Sequence, residues 1–280
     1  MVRTNIARPT GILRDYIQSF ELKMFDTHSD GIRKPLHAFH EILISLIIDS
    51  KKPLFEPICT DISSYFCNKP PYAGVMGLQT NMKGFLVFKG RFKVFNIQFK
   101  PIGFSCIFQI PALSLKDRFL DGYELFHHEL KDLHEQLHEE ISFREMVRLT
   151  EKFLERKMAT NKDLWKNECI LKASNSLICE PNTFSIQELA HHSNMTIKTF
   201  ERKFTVLAGI PPKLYARIRR FNQAIELKLY HEKLNWLDVC VKTGYFDLMH
   251  LNRDFKAFAG LPPRAFFEKT PPVFENFVPL

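Results

Sequence analysis

Arg202 to Pro212 reads RKFTVLAGIPP, and 51 residues later Arg253 to Pro263 reads RDFKAFAGLPP. Arg, Phe, Ala, Gly and both prolines are identical, and Leu207/Phe258 and Ile210/Leu261 keep apolar side chains. Self-similarity of this kind means two copies of one small unit. Each copy reads as a helix stopped by Gly, which has no Cβ to penalise a left-handed backbone, and then by Pro, which has no amide hydrogen to continue the ladder.

The helix ahead of the first stop begins at Thr196. At about 100° per residue, Ile197, Phe200, Phe204 and Leu207 share one face, while Lys198 and Arg202, with Thr199 and Lys203 at the edges, lie opposite. Ser185 opens a shorter helix with Glu188 at the capping-box position, and residues 191–195 make a turn in which Asn194 accepts a left-handed backbone. In the second copy Gly244 plays the similar part, and Asp247 caps a helix that buries Leu248, Leu251, Phe255 and Phe258. There Met249, Arg253 and Lys256 point out, with His250 at the edge. A short helix, a tight turn and a second helix with a cationic face is a helix-turn-helix, whose second helix enters the major groove.

Arg202 and Arg253 occupy equivalent positions. A guanidinium there either forks onto guanine or clamps a phosphate, and the competing reading is a surface pair with Glu201 or Asp254. Retention of Arg in both copies favours DNA contact. Glu201 suits a cytosine amine or positions Arg202, and Met249 can touch only apolar base surface such as a thymine methyl. The first copy is therefore expected to carry more of the base specificity. Between the copies, Pro212 starts a helix to about Tyr230, roughly 28 Å long, a spacer that can set two recognition helices into successive grooves. Arg217, Arg219 and Arg220 near its start are candidates for phosphate contact, or else a solvated face.

The rest of the composition agrees with a globular protein of two domains: 280 residues, 45% hydrophobic, 25% charged, net charge +8. The basic excess leans toward the repeated half, +6 over 161–270 against +3 over 1–160. That field suits a polyanion. The six cysteines show no C-x-x-C pair, which points to reduced, mostly buried thiols, and neither a signal peptide nor a membrane span is evident. A cytoplasmic protein is expected, with no membrane partner, no cofactor and no metal.

From Leu36 to Pro101, short β-branched and aromatic runs broken by Gly and Pro indicate an antiparallel sheet or barrel. Ile42 to Ile48 reads as one buried strand. Phe85–Phe88 and Phe92–Phe99 flank Lys89, Gly90 and Arg91 as a hairpin, with Phe95, Ile97 and Phe99 alternating against Val94, Asn96 and Gln98. Such a unit either holds a small ligand or is a filled core that supports dimerisation. His37, His40 and Glu41 resemble metal ligands on a strand, but adjacent strand positions face opposite sides.

From Leu130 to Lys157 the period becomes helical, with a stripe of Leu130, Leu133 and Leu137 and a second helix capped by Ser142 and Glu145. His134, Glu135 and His138 match H-E-x-x-H, the zinc-binding spacing of metalloproteases. The pattern fixes three positions in a stretch already rich in His and Glu, and no protease-like second half follows. A solvated helix face is the expected reading.

Residues 168 to 268 resemble the DNA-binding domain of AraC/XylS-family transcription regulators. The resemblance rests on Ser185-Ile-Gln-Glu-Leu-Ala190, Thr196 to Phe204, Gly209-Ile-Pro-Pro212, Gly244-Tyr-Phe-Asp and Arg253-Asp-Phe-Lys256. It implies seven helices, two helix-turn-helix units, and base contact from Lys198, Glu201, Arg202, His250 and Arg253. Cys240, Leu248, Met249 and Leu251 depart from the family pattern, all in the second unit. Phe99-Lys-Pro-Ile-Gly103 and the helices after it resemble the β-rich first domain of one subgroup, which generally senses a small molecule or dimerises.

The expected fold class is thus α+β: a β-rich barrel-like domain at 1–127, a helical connector at 128–160, an all-α double helix-turn-helix at 161–270 and a tail at 271–280. The expected function is sequence-specific DNA binding and transcription activation, not catalysis. Double-stranded DNA, RNA polymerase, a small-molecule effector and a second copy of the chain are the expected partners. Two alternatives stand beside it: a zinc-dependent hydrolase on the His134/Glu135/His138 helix, and a non-specific architectural DNA binder.

Overall fold

Strand β8 (Arg91–Phe99) is bonded along both edges, to β2 (Ile17–Asp26) and to β4 (Ile42–Ser50). With β1 (Val2–Ala7), β6 (Ala73–Met76) and β9 (Phe119–Asp121) they make a six-stranded sheet in the order β1-β2-β8-β4-β6-β9. A smaller sheet, β3-β7-β5, joins β3 (Ile32–Pro35), β7 (Gly84–Phe88) and β5 (Leu54–Pro57). The molecule is seen in a computed structural model that describes residues 2–27, 31–50, 52–58, 70–139, 141–162, 164–179 and 185–269. Cys59, Cys67 and the 271–280 tail lie outside the described residues.

The hairpin expected between Phe85–Phe88 and Phe92–Phe99 does not form. Both edges of β8 are already occupied, so β7 pairs with β3 and β5 instead, and Gly90, at φ 100°, carries the chain from one sheet to the other. The β-rich half is therefore built from a six-stranded and a three-stranded sheet. Alternation along β8 gives each face a separate task. Phe95, Ile97 and Phe99 are buried on one side, in the core that also holds helices α1 (Gly103–Phe108), α2 (Gly122–His138) and α3 (Phe143–Thr160). Val94, Asn96 and Gln98 face a cavity between the sheets.

Ser142 caps α3 by accepting from the Glu145 amide. Helix α2 departs from helical geometry at His127 (φ 53°, ψ −135°), just ahead of the Leu130, Leu133 and Leu137 stripe, all of it buried. Among the described residues seven α-helices follow: α4 (Glu168–Cys179), α5 (Ile186–His192), α6 (Ile197–Ala208), α7 (Pro212–Tyr230), α8 (Trp236–Thr243), α9 (Leu248–Ala259) and α10 (Pro263–Lys269).

The His134 expectation needs correction. Rather than facing solvent, His134 is 2% exposed; its Nε2 bonds the Ile47 carbonyl at 2.9 Å and its Nδ1 meets the Tyr123 hydroxyl. Burial holds its pKa below the usual imidazole value, so the ring packs neutral between α2 and β4. His138 is exposed, and no cluster of three metal-ligating side chains occurs among the described residues. His37, His40 and Glu41 also differ from expectation: they lie ahead of β4, not on it, and both imidazoles face the C-terminal helices. His37 packs edge-on against Phe221 and Phe266, and His40 Nδ1 bonds Asn222 Oδ1 at 2.8 Å.

Candidate nucleic-acid interface

Each unit is assembled by caps that the sequence spells out. Ser185 and Glu188 form a reciprocal capping box on α5, and Thr196 accepts from the Thr199 amide at the start of α6. Asn235 and Asp247 do the same for α8 and α9, accepting from Asp238 and His250. Phe200 and Phe204 on α6, and Leu251, Phe255 and Phe258 on α9, are buried, which leaves the opposite faces outward.

On α6, Lys198, Glu201 and Arg202 are exposed, while Thr199 and Lys203 are half-buried at the edge of the face. On α9, Met249, Arg253 and Lys256 are exposed. His250 is half-buried, edge-on to Tyr245 and 3.9 Å from Asp254 Oδ2. The competing pair for Arg253 is not formed: Asp254 is fully buried, where its Oδ1 takes Arg217 at 2.6 Å and its Oδ2 the Tyr245 hydroxyl at 3.4 Å. Burial and the Asp254 charge push the Tyr245 phenol pKa up, so it remains a donor.

The three arginines of α7 separate. Arg217 is partly exposed but committed to Asp254 and the Phe258 ring, and Arg220 lies over the Tyr245 ring at 5.4 Å. Arg219 is 3% exposed, pairs with Glu226 at 3.1 Å and lines the cavity of the N-terminal half. Phosphate contact is therefore corrected for Arg219: a side chain enclosed by protein cannot reach DNA.

Two features escaped the sequence reading. Phe246, directly ahead of the α9 cap, is 93% exposed and Met249 in the first turn of α9 is 68% exposed, an apolar tip at the start of that helix; Leu237 and Val241 on α8 are exposed as well. The turns are also not equivalent in detail. The left-handed residue is Asn194 in the first unit but Gly244 in the second, one position earlier in the aligned repeat. This shift lets Tyr245 tuck inward and turns Phe246 out. A large aromatic where the first copy has the half-buried Met195 was the signal available.

The carboxyl ends of both recognition helices dock on the N-terminal half. Ser105 Oγ donates to the Leu207 carbonyl at 2.8 Å, and the Ala38 amide donates to the Phe258 carbonyl at 2.9 Å. Asn222 of α7 donates to the Ala38 carbonyl at 2.9 Å, joining the same contact. Lys198 and Arg202 on α6, and Arg253 and Lys256 on α9, remain exposed.

Residues 189–269 match the helix-turn-helix domain family. No curated protein matches the chain. Among solved structures, ToxT from Vibrio cholerae O395 is similar over 91% of this chain and 99% of its own, at 11% identity and a TM-score of 0.45. A 1.65 Å structure of ToxT from Vibrio cholerae gives 13% identity, 90% and 98% coverage and a TM-score of 0.43. ToxT bound to (E)-4-(8-methylnaphthalen-1-yl)but-3-enoic acid gives 11%, 90%, 99% and 0.44.

Proposed function

We propose, with an AraC-type DNA-binding domain in residues 189–269 as the premise, that this protein is a sequence-specific transcription regulator whose β-rich half responds to a small molecule. The observation that carries the reading is the pair of exposed arginines. Arg202 and Arg253 stand at the same place in two units, have no ion-pair partner among the described residues, and project from helices whose other ends are anchored. A surface evolved only for solubility has no reason to keep a guanidinium at both places. Lys198, Lys203 and Lys256 add the sequence-independent attraction to phosphates, and Glu201 the option of a cytosine contact. Arg217 holds α9 through Asp254 and the Phe258 ring, and Arg220 lies over the Tyr245 ring in the turn ahead of it. Activation through RNA polymerase and pairing with a second copy of the chain are carried over from the family resemblance.

Arg202→Ala separates this reading from an architectural one. Specific binding should weaken by about 1–3 kcal/mol with relaxed base choice at one position. A uniform loss across sequences, measured by competition with scrambled duplexes at fixed salt, would favour the architectural binder. No change from either Arg202→Ala or Arg253→Ala would remove the groove assignment altogether.

A further inference from the structure

The last four carbonyls of a helix have no partner within it. In α6 and α9 the N-terminal half takes the same one. Leu207 and Phe258 are equivalent in the repeat, and their carbonyls accept from the Ser105 hydroxyl at 2.8 Å and the Ala38 amide at 2.9 Å. Both donors are buried. Neither contact stands by itself. Ser105 Oγ also accepts from the Ala112 amide at 2.9 Å, and Ala112 and Leu78 leave no room for a Cβ at Gly209, the stop of α6. The Ala38 carbonyl accepts from Asn222 Nδ2 at 2.9 Å, and Asn222 Oδ1 accepts from His40 Nδ1 at 2.8 Å. Burial, with the Arg219 charge adding to it, lowers the His40 pKa to about 3, so the ring is neutral and this joint does not titrate near neutral pH.

The two attachment points are themselves joined. Phe39 and Gln79 form an antiparallel bridge in which each amide donates to the other's carbonyl, at 3.0 and 2.9 Å. Phe39 follows Ala38, which holds α9, and Gln79 follows Leu78, which packs on the end of α6. Asp117 braces the bridge. Its amide donates to the Leu78 carbonyl at 2.9 Å, and its carboxylate accepts from the Thr80 amide at 2.8 Å and pairs with Lys83 at 3.0 Å. The recognition helices are therefore connected twice, once through α7 and once through this bridge. A helix joining two bodies leaves a hinge at each of its ends, and a second connection removes the freedom to swing.

We propose that the Phe39–Gln79 bridge is a yoke that fixes α6 relative to α9, so that the N-terminal half, with Ser105 and Asn222 as positioning residues, sets which separation of half-sites the protein accepts. The proposal rests on groove recognition by both units, and it adds a rule of spacing that neither recognition face carries by itself. One inserted base pair moves a half-site by about 3.4 Å along the duplex and turns it by about 35°. Units joined by α7 alone could follow part of that change by swinging about its ends. Units held at their far ends as well cannot follow it, and one of them loses its bases.

The test uses the full chain and duplexes that the wild-type protein selects from a random pool, with the segment between half-sites lengthened or shortened by one base pair and binding measured at fixed salt. Wild type should lose about tenfold or more, the worth of one Arg–base contact. Ser105→Ala and Asn222→Ala should each lose less than about threefold. The double variant should be no more tolerant than either single one, because a yoke cut at one end is already open. The ratio between spacings does not depend on the fraction of folded protein, so a merely destabilised variant keeps the wild-type profile. Without DNA, Ser105→Ala, which cuts an attachment of the first unit, should speed deuterium exchange at the Ala38 and Phe39 amides beside the second by about tenfold. Tolerance of the altered spacing by wild type, variants with the wild-type profile, or unchanged exchange at Ala38 and Phe39 would overturn the proposal. Selected duplexes that compete no better than scrambled ones would remove groove recognition and the yoke with it, whereas specific binding with an unchanged profile would remove the yoke alone.

Discussion

Helix α6 ends at Gly209 with its backbone pressed against the N-terminal half, where a Cβ would lie 2.6 Å from Leu78 Cδ2 and 3.0 Å from the Ala112 carbonyl oxygen. Helix α9 ends at Gly260, where the nearest such atom is Met82 Cβ at 4.0 Å. Both glycines are left-handed, at φ 91° and 75°. One sequence signal, Ala-Gly-x-Pro-Pro, therefore serves two purposes: a helix stop in both copies, and a close packing point in the first only. Their outward faces differ as well. The first presents Lys198, Glu201 and Arg202, and the second presents Arg253 and Lys256 beside an apolar tip of Phe246 and Met249. The first copy is closely seated and polar on its outward face, and the second carries an internal ion pair.

The largest effect should come from breaking that seating. In Gly209→Ala, the left-handed Cβ costs about 1–2 kcal/mol and overpacking against Leu78 and Ala112 adds about 1–3 kcal/mol, for a loss near 3 kcal/mol. Gly260→Ala meets open space and should cost only the first part, about 1 kcal/mol. Urea unfolding midpoints at constant slope measure both. Equal losses would show that Gly209 is a helix stop and nothing more.

The next effect belongs to the second copy. Asp254 is fully buried and receives Arg217 and Tyr245, whereas the aligned residue in the first copy is Lys203, half-buried with no such role. Asp254→Ala should cost about 2 kcal/mol, less than the ~3–5 kcal/mol of a fully enclosed pair, because Arg217 is partly exposed and regains water. Lys203→Ala should leave the unfolding midpoint unchanged within error. If the two variants unfold alike, the second copy is not anchored through this pair.

The repeat, its caps and the two buried faces were legible because helix periodicity and capping are local: Ser185/Glu188, Thr196, Asp247 and the Phe200–Phe204 and Leu251–Phe255–Phe258 stripes all lie within a few turns of what they act on. What escaped is non-local. Arg219 neighbours the α7 stripe and looks exposed on a helix considered alone, yet α7 packs a second side against the sheets, and 198 residues separate it from Glu21 in the same cavity. The Phe85–Phe99 hairpin failed for the same reason. A short turn permits a hairpin, but the choice of partner for β8 was made by β2 and β4, far away in sequence. His134 shows the same limit at a single residue, since its hydrogen bond to Ile47 crosses 87 positions.

The smallest effect tests how the second copy reads DNA. Met249 and Phe246 can offer only van der Waals contact and exclusion of water, and the base feature that answers to this in the major groove is the thymine methyl. One buried methyl is worth about 0.8 kcal/mol, below the ~1–3 kcal/mol of a bidentate Arg contact. Replacing thymines by uracils in the half-site under α9 should weaken wild-type binding by about 0.8 kcal/mol for each methyl contacted. In Met249→Ala the same replacement should cost nothing at the methyl that Met249 covers, and Phe246→Ala should report its own in the same way. The coupling term of that cycle, not the raw loss, isolates the contact. Uracil substitution under α6 should be indifferent to both variants. Equal sensitivity of the two half-sites would mean that the apolar tip of the second copy faces away from the groove, leaving Arg253 as its main reader of base identity.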